Sequence, residues 1–252
     1  MREGEERGAV TGGVLKRVRE TAVDLLFPRR CPVCGDVVRP FGEMICPGCV
    51  KELSVVRQPV CKRCGKEVES QRIEYCPDCV RRQRTFERNL ALLNYNDTAS
   101  RSMSAVKYKG RREYLDFYAE AVCLRFGKAI RRMEADALVP VPIHPSRRRS
   151  RGFNQAELLA DRIGAGLGIP VYPDALRRDK KTLPQKQLNQ EERLKNLQKA
   201  FVPGVLPEEV RTVLLVDDIY TTGSTMEACA RALRSMGVEK IYGLTLCIGH
   251  NS

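Results

Sequence analysis

The chain has 252 residues, 42% of them hydrophobic, and 44 basic against 31 acidic side chains give it a formal charge of +13. That apolar content supports a packed core and excludes wholesale disorder. No run approaches the roughly 20 apolar residues needed to cross a bilayer, and the opening MREGEERGAV lacks the apolar segment of a secretory signal, so a cytoplasmic protein is expected.

The first predicted element is a short amphipathic helix. Val14, Leu15, Val18, Ala22, Leu25 and Leu26 fall at helical spacing, and Pro28 ends the stripe. An internal repeat follows. Cys31, Cys34, Cys46 and Cys49 recur as Cys61, Cys64, Cys76 and Cys79, with Gly35 echoed by Gly65 and Pro47 by Pro77. A CxxC knuckle turns two thiolates toward one ion, and two knuckles complete a closed, structural four-sulfur zinc site. Eight cysteines therefore predict two structural zinc ions, with an iron–sulfur cluster as the rival occupant. The even spacing leaves sequential and nested pairing both open; the repeat favours two self-contained ribbons. Between these cysteines lie few apolar runs, so metal must supply stability. Cys123, Cys229 and Cys247 stand alone in apolar surroundings and read as core residues.

Beyond residue 88 the texture changes. Strands are predicted at 91–95, 137–143, 212–216 and 240–248, and helices at 112–132, 153–167 and 224–236. This alternation argues for an α/β fold, a mainly parallel sheet flanked by helices. The expected order is a tail and amphipathic helix over 1–28, a double zinc ribbon over 29–88, and an α/β domain over 89–252. The polar stretch 177–199 is expected to cover the ligand face. Positive charge concentrates in residues 101–151, with 13 basic and five acidic groups. Such a field attracts phosphates, on nucleic acid or on a small polyanion.

The segment VLLVDDIYTTGST, residues 213–225, carries the most chemistry. A buried strand delivers Asp217 and Asp218 to the end of a sheet, where open α/β folds bind ligands. Thr221, Thr222, Gly223, Ser224 and Thr225 then offer amides and hydroxyls near a helix N-terminus, a cradle for a phosphate. Carboxylates repel phosphate but accept from sugar hydroxyls. Phosphate beside vicinal hydroxyls describes ribose 5-phosphate. The segment resembles the phosphoribosyl pyrophosphate (PRPP) signature of type I phosphoribosyltransferases. A Walker-type loop is excluded, because no Gly-Lys-Ser/Thr occurs.

The full order of parts resembles the ComF family, competence-protein-F-like proteins with a phosphoribosyltransferase domain. Four CxxC pairs precede KYKGRREY (107–114), then VPVPIHPSRRRSRGFNQAELLA (139–160), then the 213–225 segment. The resemblance implies a type I phosphoribosyltransferase-like sheet behind the eight-cysteine double zinc ribbon. It implies that Asp217 and Asp218 hold ribose hydroxyls through Mg²⁺ and that Thr221–Thr225 hold the 5-phosphate. Pro142, Ile143, His144 and Pro145 would then lie where pyrophosphate binds. Lys107, Lys109, Arg147, Arg148, Arg149 and Arg151 would contact an anion or nucleic acid, or else form a solvated charged face. His144 fits a structural loop residue better than a catalytic one. The implied role is DNA uptake in natural transformation, handling single-stranded DNA with a helicase-like partner. The alternative is an active phosphoribosyltransferase passing phosphoribose from PRPP to an unidentified acceptor. The sequence leaves turnover open.

Overall fold

The computed structural model describes residues 28–40, 42–178 and 200–249. The helix expected at 14–26 and most of the stretch 177–199 lie outside the described residues. The chain divides into two compact units, Met1–Glu52 and Leu53–Ser252.

The first unit holds the first cysteine ribbon, closed by a 3₁₀ turn over Pro47–Glu52. Among its described residues, the buried apolar side chains are Cys31, Val33, Val38, Ile45 and Cys49.

The second unit contains the second ribbon and the sheet together. Its helices among the described residues are α1 (Pro77–Arg81), α2 (Asp97–Lys109), α3 (Tyr114–Arg132), α4 (Pro145–Arg151), α5 (Gln155–Leu167) and α6 (Ser224–Arg234). Its strands are β1 (Arg88–Asn94), β2 (Ala137–Pro140), β3 (Leu176–Arg178), β4 (Phe201–Pro203), β5 (Thr212–Tyr220) and β6 (Lys240–Ile248). The main sheet runs β1-β6-β5-β2, all parallel, and β3 and β4 form a separate antiparallel hairpin.

Central strands buried on both faces need apolar runs, and Val213–Val216 and Leu246–Ile248 provide them, with buried Thr245 just before the second. Successive side chains alternate between two layers. Leu138, Leu214, Val216, Leu244 and Leu246 pack on the side of α2, α3 and α5. Ala137, Val139, Val213, Leu215 and Ile241 pack on the side of α6, the hairpin and the second ribbon, whose Cys61, Cys64 and Cys76 join this layer. Truncating Leu214 or Leu215, both fully buried, should cost about 2–5 kcal/mol.

Two features differ from the sequence expectation. Strand β2 ends at Pro140 rather than 143, because Pro140 and Pro142 cannot donate to a ladder. Strand β5 runs on to Tyr220, carried past the acids by pairing with β6 alone: Asp217 faces Thr245, and Tyr220 faces Ile248. Pairing between β2 and β5 ends at Pro140 and Val216.

Candidate functional site

The two metal sites come first in the chain. Cys31, Cys34, Cys46 and Cys49 form one cluster, and Cys61, Cys64, Cys76 and Cys79 the other, so pairing is sequential. Within each, all sulfurs lie within 4.8 Å of one another. A tetrahedron of thiolates at about 2.3 Å from zinc requires sulfurs roughly 3.8 Å apart, so both clusters fit structural zinc. Backbone amides support the sulfurs: the N–H of Cys76 donates to Cys61 Sγ at 3.3 Å and that of Val33 to Cys31 Sγ at 3.5 Å. All eleven cysteines are free of disulfides. Cys229 and Cys247 are wholly buried in the sheet layers, as the sequence suggests, and Cys123 is half-buried.

At the carboxyl end of β5, Asp217, Tyr220, Thr221, Gly223, Thr225, Met226 and Thr245 line a cleft with about 220 Å³ of empty space. The predicted loop thus shares a cleft with one of the two predicted acids. Gly223 caps α6 in the left-handed region at φ 75° and has no side chain with which to cap it. The Ser224 N–H, in the first turn, donates to Thr222 Oγ1 at 3.4 Å. Thr222 Oγ1 and Ser224 Oγ lie 2.8 Å apart and order the loop. Gly223 is needed for space as well as for φ: a Cβ there would sit 2.1 Å from the Tyr220 hydroxyl.

The adjacent acids differ in surroundings. The Asp217 charge acts on Cys229 of α6 and on Arg178, that of Asp218 acts on Cys247, and the Lys107 charge reaches both acids. Burial, and then the charge of Asp218, push the Asp217 carboxyl well above the usual carboxylate range. The Asp218 amide, donating to Asp217 Oδ1 at 2.9 Å, and the Lys107 charge pull the other way. Asp218 is buried, ion-paired with Lys107, and accepts from Gln155 Nε2 at 3.2 Å.

Each residue of RGFNQ (151–155) has a defined place. The Arg151 guanidinium donates to Gln155 Oε1 and stands 5.5 Å from the centre of the Tyr108 ring. Gly152 ends α4 in the left-handed region at φ 80°. Phe153 lies under the Arg112 guanidinium at 4.3 Å. Asn154 caps α5 by accepting from Ala156 N–H at 3.1 Å, and its amide donates to Val141 O, pinning the end of β2. Gln155 then reaches Asp218. The segments 107–114 and 147–155 therefore meet around Asp218.

Pro142, Ile143, His144 and Pro145 form the turn between β2 and α4. His144 Nδ1 accepts from Ser146 N–H at 3.2 Å and caps α4. Arg147, Arg148, Arg149 and Lys109 are exposed, and Arg148 pairs with Glu157 at 2.8 Å. Sequence reasoning missed Gln155, although it stood in a quoted motif, and it missed Tyr220, Thr245, Arg84 and Glu227. The last two are far apart in sequence, and neither sits in a recognisable pattern.

A family model of the double zinc ribbon domain matches residues 22–80, and one of the phosphoribosyl transferase domain matches residues 149–252. Competence protein F of Haemophilus influenzae is 30% identical over 220 residues, covering 85% of this chain and 95% of that protein. The chain belongs to the competence protein F family. Two further relatives of that kind are the DNA utilization protein YhgH of Escherichia coli K12 and competence protein ComFC of Bacillus subtilis. The first is 28% identical over 172 residues, covering 67% of this chain and 75% of that protein. The second is 29% identical over 158 residues, covering 63% and 62%. A solved purine phosphoribosyltransferase from Pyrococcus horikoshii aligns with 54% of this chain and 73% of that one at 17% identity, with a TM-score of 0.32, too loose a likeness to carry an argument. The chain is thus a competence-related, phosphoribosyltransferase-like protein with a double zinc ribbon. No helix among the described residues is long and apolar enough to cross a membrane.

Proposed function

We propose that the chain binds the ribose 5-phosphate portion of PRPP in the cleft at the end of β5. The observation that carries this reading is the convergence of Asp217 and the Thr221–Thr225 loop on one cleft. The amides of the first turn of α6 and the loop hydroxyls suit a phosphate, and Asp217 suits ribose hydroxyls. Asp218 acts from the other side, holding Lys107 and Gln155 and through them the two basic segments. The turn Pro142–Pro145 would face the pyrophosphate. A carboxylate beside a phosphate site is the donor set a hard divalent cation prefers, and Asp217 would hold Mg²⁺. Bound there, Mg²⁺ supplies charge neutralisation of the phosphates. A cation also favours ionised Asp217, so its binding and release of the Asp217 proton are linked. Calorimetric titration of PRPP with Mg²⁺ should show binding to the wild type that Asp217→Asn weakens about tenfold or more, the worth of one charge-assisted contact. Equal affinity in the two proteins defeats the reading.

The biological setting we infer is the cytoplasmic handling of single-stranded DNA during uptake, with a helicase-like partner. The names of the relatives support it, as do eight cysteines in metal clusters, which suit a reducing compartment. Exposed Lys109, Arg147 and Arg149 offer phosphate contacts, and Tyr108, 77% exposed and next to Arg151, offers a stacking ring. DNA affinity should fall steeply as salt rises; a flat dependence excludes a multi-phosphate contact. The match to the transferase domain over 149–252 favours a second reading, transfer of phosphoribose to an acceptor. Pyrophosphate release on adding candidate acceptors tests it.

A further inference from the structure

The second ribbon does more than sit beside the sheet. Its first knuckle, Cys61–Cys64, lies against the start of β1. The N–H of Asn89 donates to Arg63 O at 2.7 Å, and Asn89 Nδ2 donates to Cys64 O at 3.0 Å. Gly65 is pressed so close that a Cβ would lie 2.6 Å from Asn89 O. The Arg63 side chain, between two metal ligands, turns back and donates through Nη1 to the carbonyls of Arg84 at 3.0 Å and Phe86 at 3.4 Å. The segment leaving the ribbon is thereby held by the knuckle.

That segment reaches the phosphate loop. Arg84 Nη2 donates to the Thr222 carbonyl at 2.7 Å, across 138 positions of sequence. Thr85 donates twice to Glu227, from its N–H at 2.8 Å and from Oγ1 at 2.7 Å. Glu227 is buried in the first turn of α6 and also takes Arg231 Nε at 2.7 Å. Phe86, fully buried, meets the Tyr220 ring edge-on at 6.4 Å, and Tyr220 lies beneath Gly223. The loop is therefore held at Thr222 from the side, at Glu227 from behind and at Gly223 from below. All three supports lead to residues 84–86.

We propose that Arg84 is a positioning residue of the 221–225 loop, and that the second metal knuckle, through Arg63, is what fixes it there. The inference rests on reading that loop as a phosphate site. A carbonyl held by a guanidinium cannot turn inward, so the Thr222–Gly223 peptide keeps its N–H toward the cleft. This pre-organises the cradle before a ligand arrives. It also makes metal occupancy of the second ribbon a condition of anion binding.

The test is hydrogen exchange on the full, zinc-loaded chain without ligand, comparing wild type, Arg84→Ala, Arg84→Lys and Arg63→Val. The expected result is faster exchange over 221–225 in Arg84→Ala and Arg63→Val, with zinc content and melting temperature unchanged in Arg84→Ala. Arg84→Lys, which can still donate to Thr222, should recover much of the protection. Unchanged exchange over 221–225 in Arg84→Ala overturns the proposal. Titration of ribose 5-phosphate adds the consequence: about tenfold weaker binding by Arg84→Ala, the worth of one charged hydrogen bond. If the wild type fails to bind ribose 5-phosphate while the exchange difference persists, the tether stands and the phosphate reading falls.

Discussion

In both ribbons the first knuckle closes the same way. The N–H of Cys31 donates to Asp36 O, that of Gly35 to Cys31 O and that of Val38 to Arg29 O; Cys61, Gly65 and Val68 repeat these bonds to Lys66, Cys61 and Pro59. The positions that metal binding does not use are different. Pro32 and Val33 stand between the first pair of cysteines, Lys62 and Arg63 between the third. A Cβ on Gly35 would meet nothing within 4 Å, whereas Gly65 is packed against Asn89. Cys34 is exposed, whereas Cys64 is buried in the layer beside the sheet. The metal chemistry needs the cysteines and a glycine at positive φ, and leaves the remaining knuckle positions free. In the second copy those free positions join the ribbon to the ligand domain.

The sharpest way to break this comparison is to remove one thiolate from each ribbon. A structural zinc site contributes on the order of 10 kcal/mol, comparable to the whole stability of a domain. Cys64→Ser should therefore abolish cooperative melting of the 53–252 unit, and Cys34→Ser should leave that transition in place. Calorimetry with zinc stoichiometry reads both, and equal damage from the two would end the distinction. The glycines give a smaller contrast. Both occupy positive φ, at 81° and 80°, so Gly35→Ala and Gly65→Ala share a backbone cost. Gly65→Ala adds a backbone clash and should cost about 1–3 kcal/mol more in denaturant unfolding.

Asp217 supplies a prediction of the opposite sign. Its carboxyl holds a proton more tightly in the folded chain than in the unfolded one. That favours the fold at low pH, and the contribution is lost as pH rises through the raised value. Asp217→Asn should therefore melt higher than wild type, by about 0.5–2 kcal/mol at neutral pH, while losing ligand. The gap should widen as pH climbs from the ordinary carboxylate range upward. A pH-independent gap in melting temperature contradicts the burial argument. The smallest effect is expected at Lys62, the neighbour of Arg63, whose ion pair with Glu74 is exposed on both sides. Lys62→Ala should change stability by less than about 0.5 kcal/mol.

Much of this molecule is legible in its sequence. The cysteine repeat, the apolar runs of β5 and β6 and the hydroxyl loop are local patterns, and each appears where it was expected. Helix α2 was not anticipated, because its buried face is only Ala99, Ser102, Met103 and Val106 and carries a weak stripe. The apolar run ends β5 four residues early, because Asp217 and Asp218 look like a break in an apolar strand. Pairing with β6 overrides that local signal. The family resemblance gives the two acids one role, and strand alternation gives them different surroundings, a consequence of period two that the sequence already contains. The ties from Arg84 to Thr222 and from Thr85 to Glu227 had no local signal at all. They are contacts between segments that meet only once the sheet is formed.

The measurement that tests the asymmetry most directly is hydrogen exchange across the zinc-loaded wild type with and without ribose 5-phosphate and Mg²⁺. Ligand should protect 221–225 and, through Arg84, the segment 61–66 and 84–89 of the second ribbon and its exit, with 31–38 unchanged. Protection confined to 221–225, or shared equally by both ribbons, would contradict the claim that one ribbon is part of the ligand domain and the other is not.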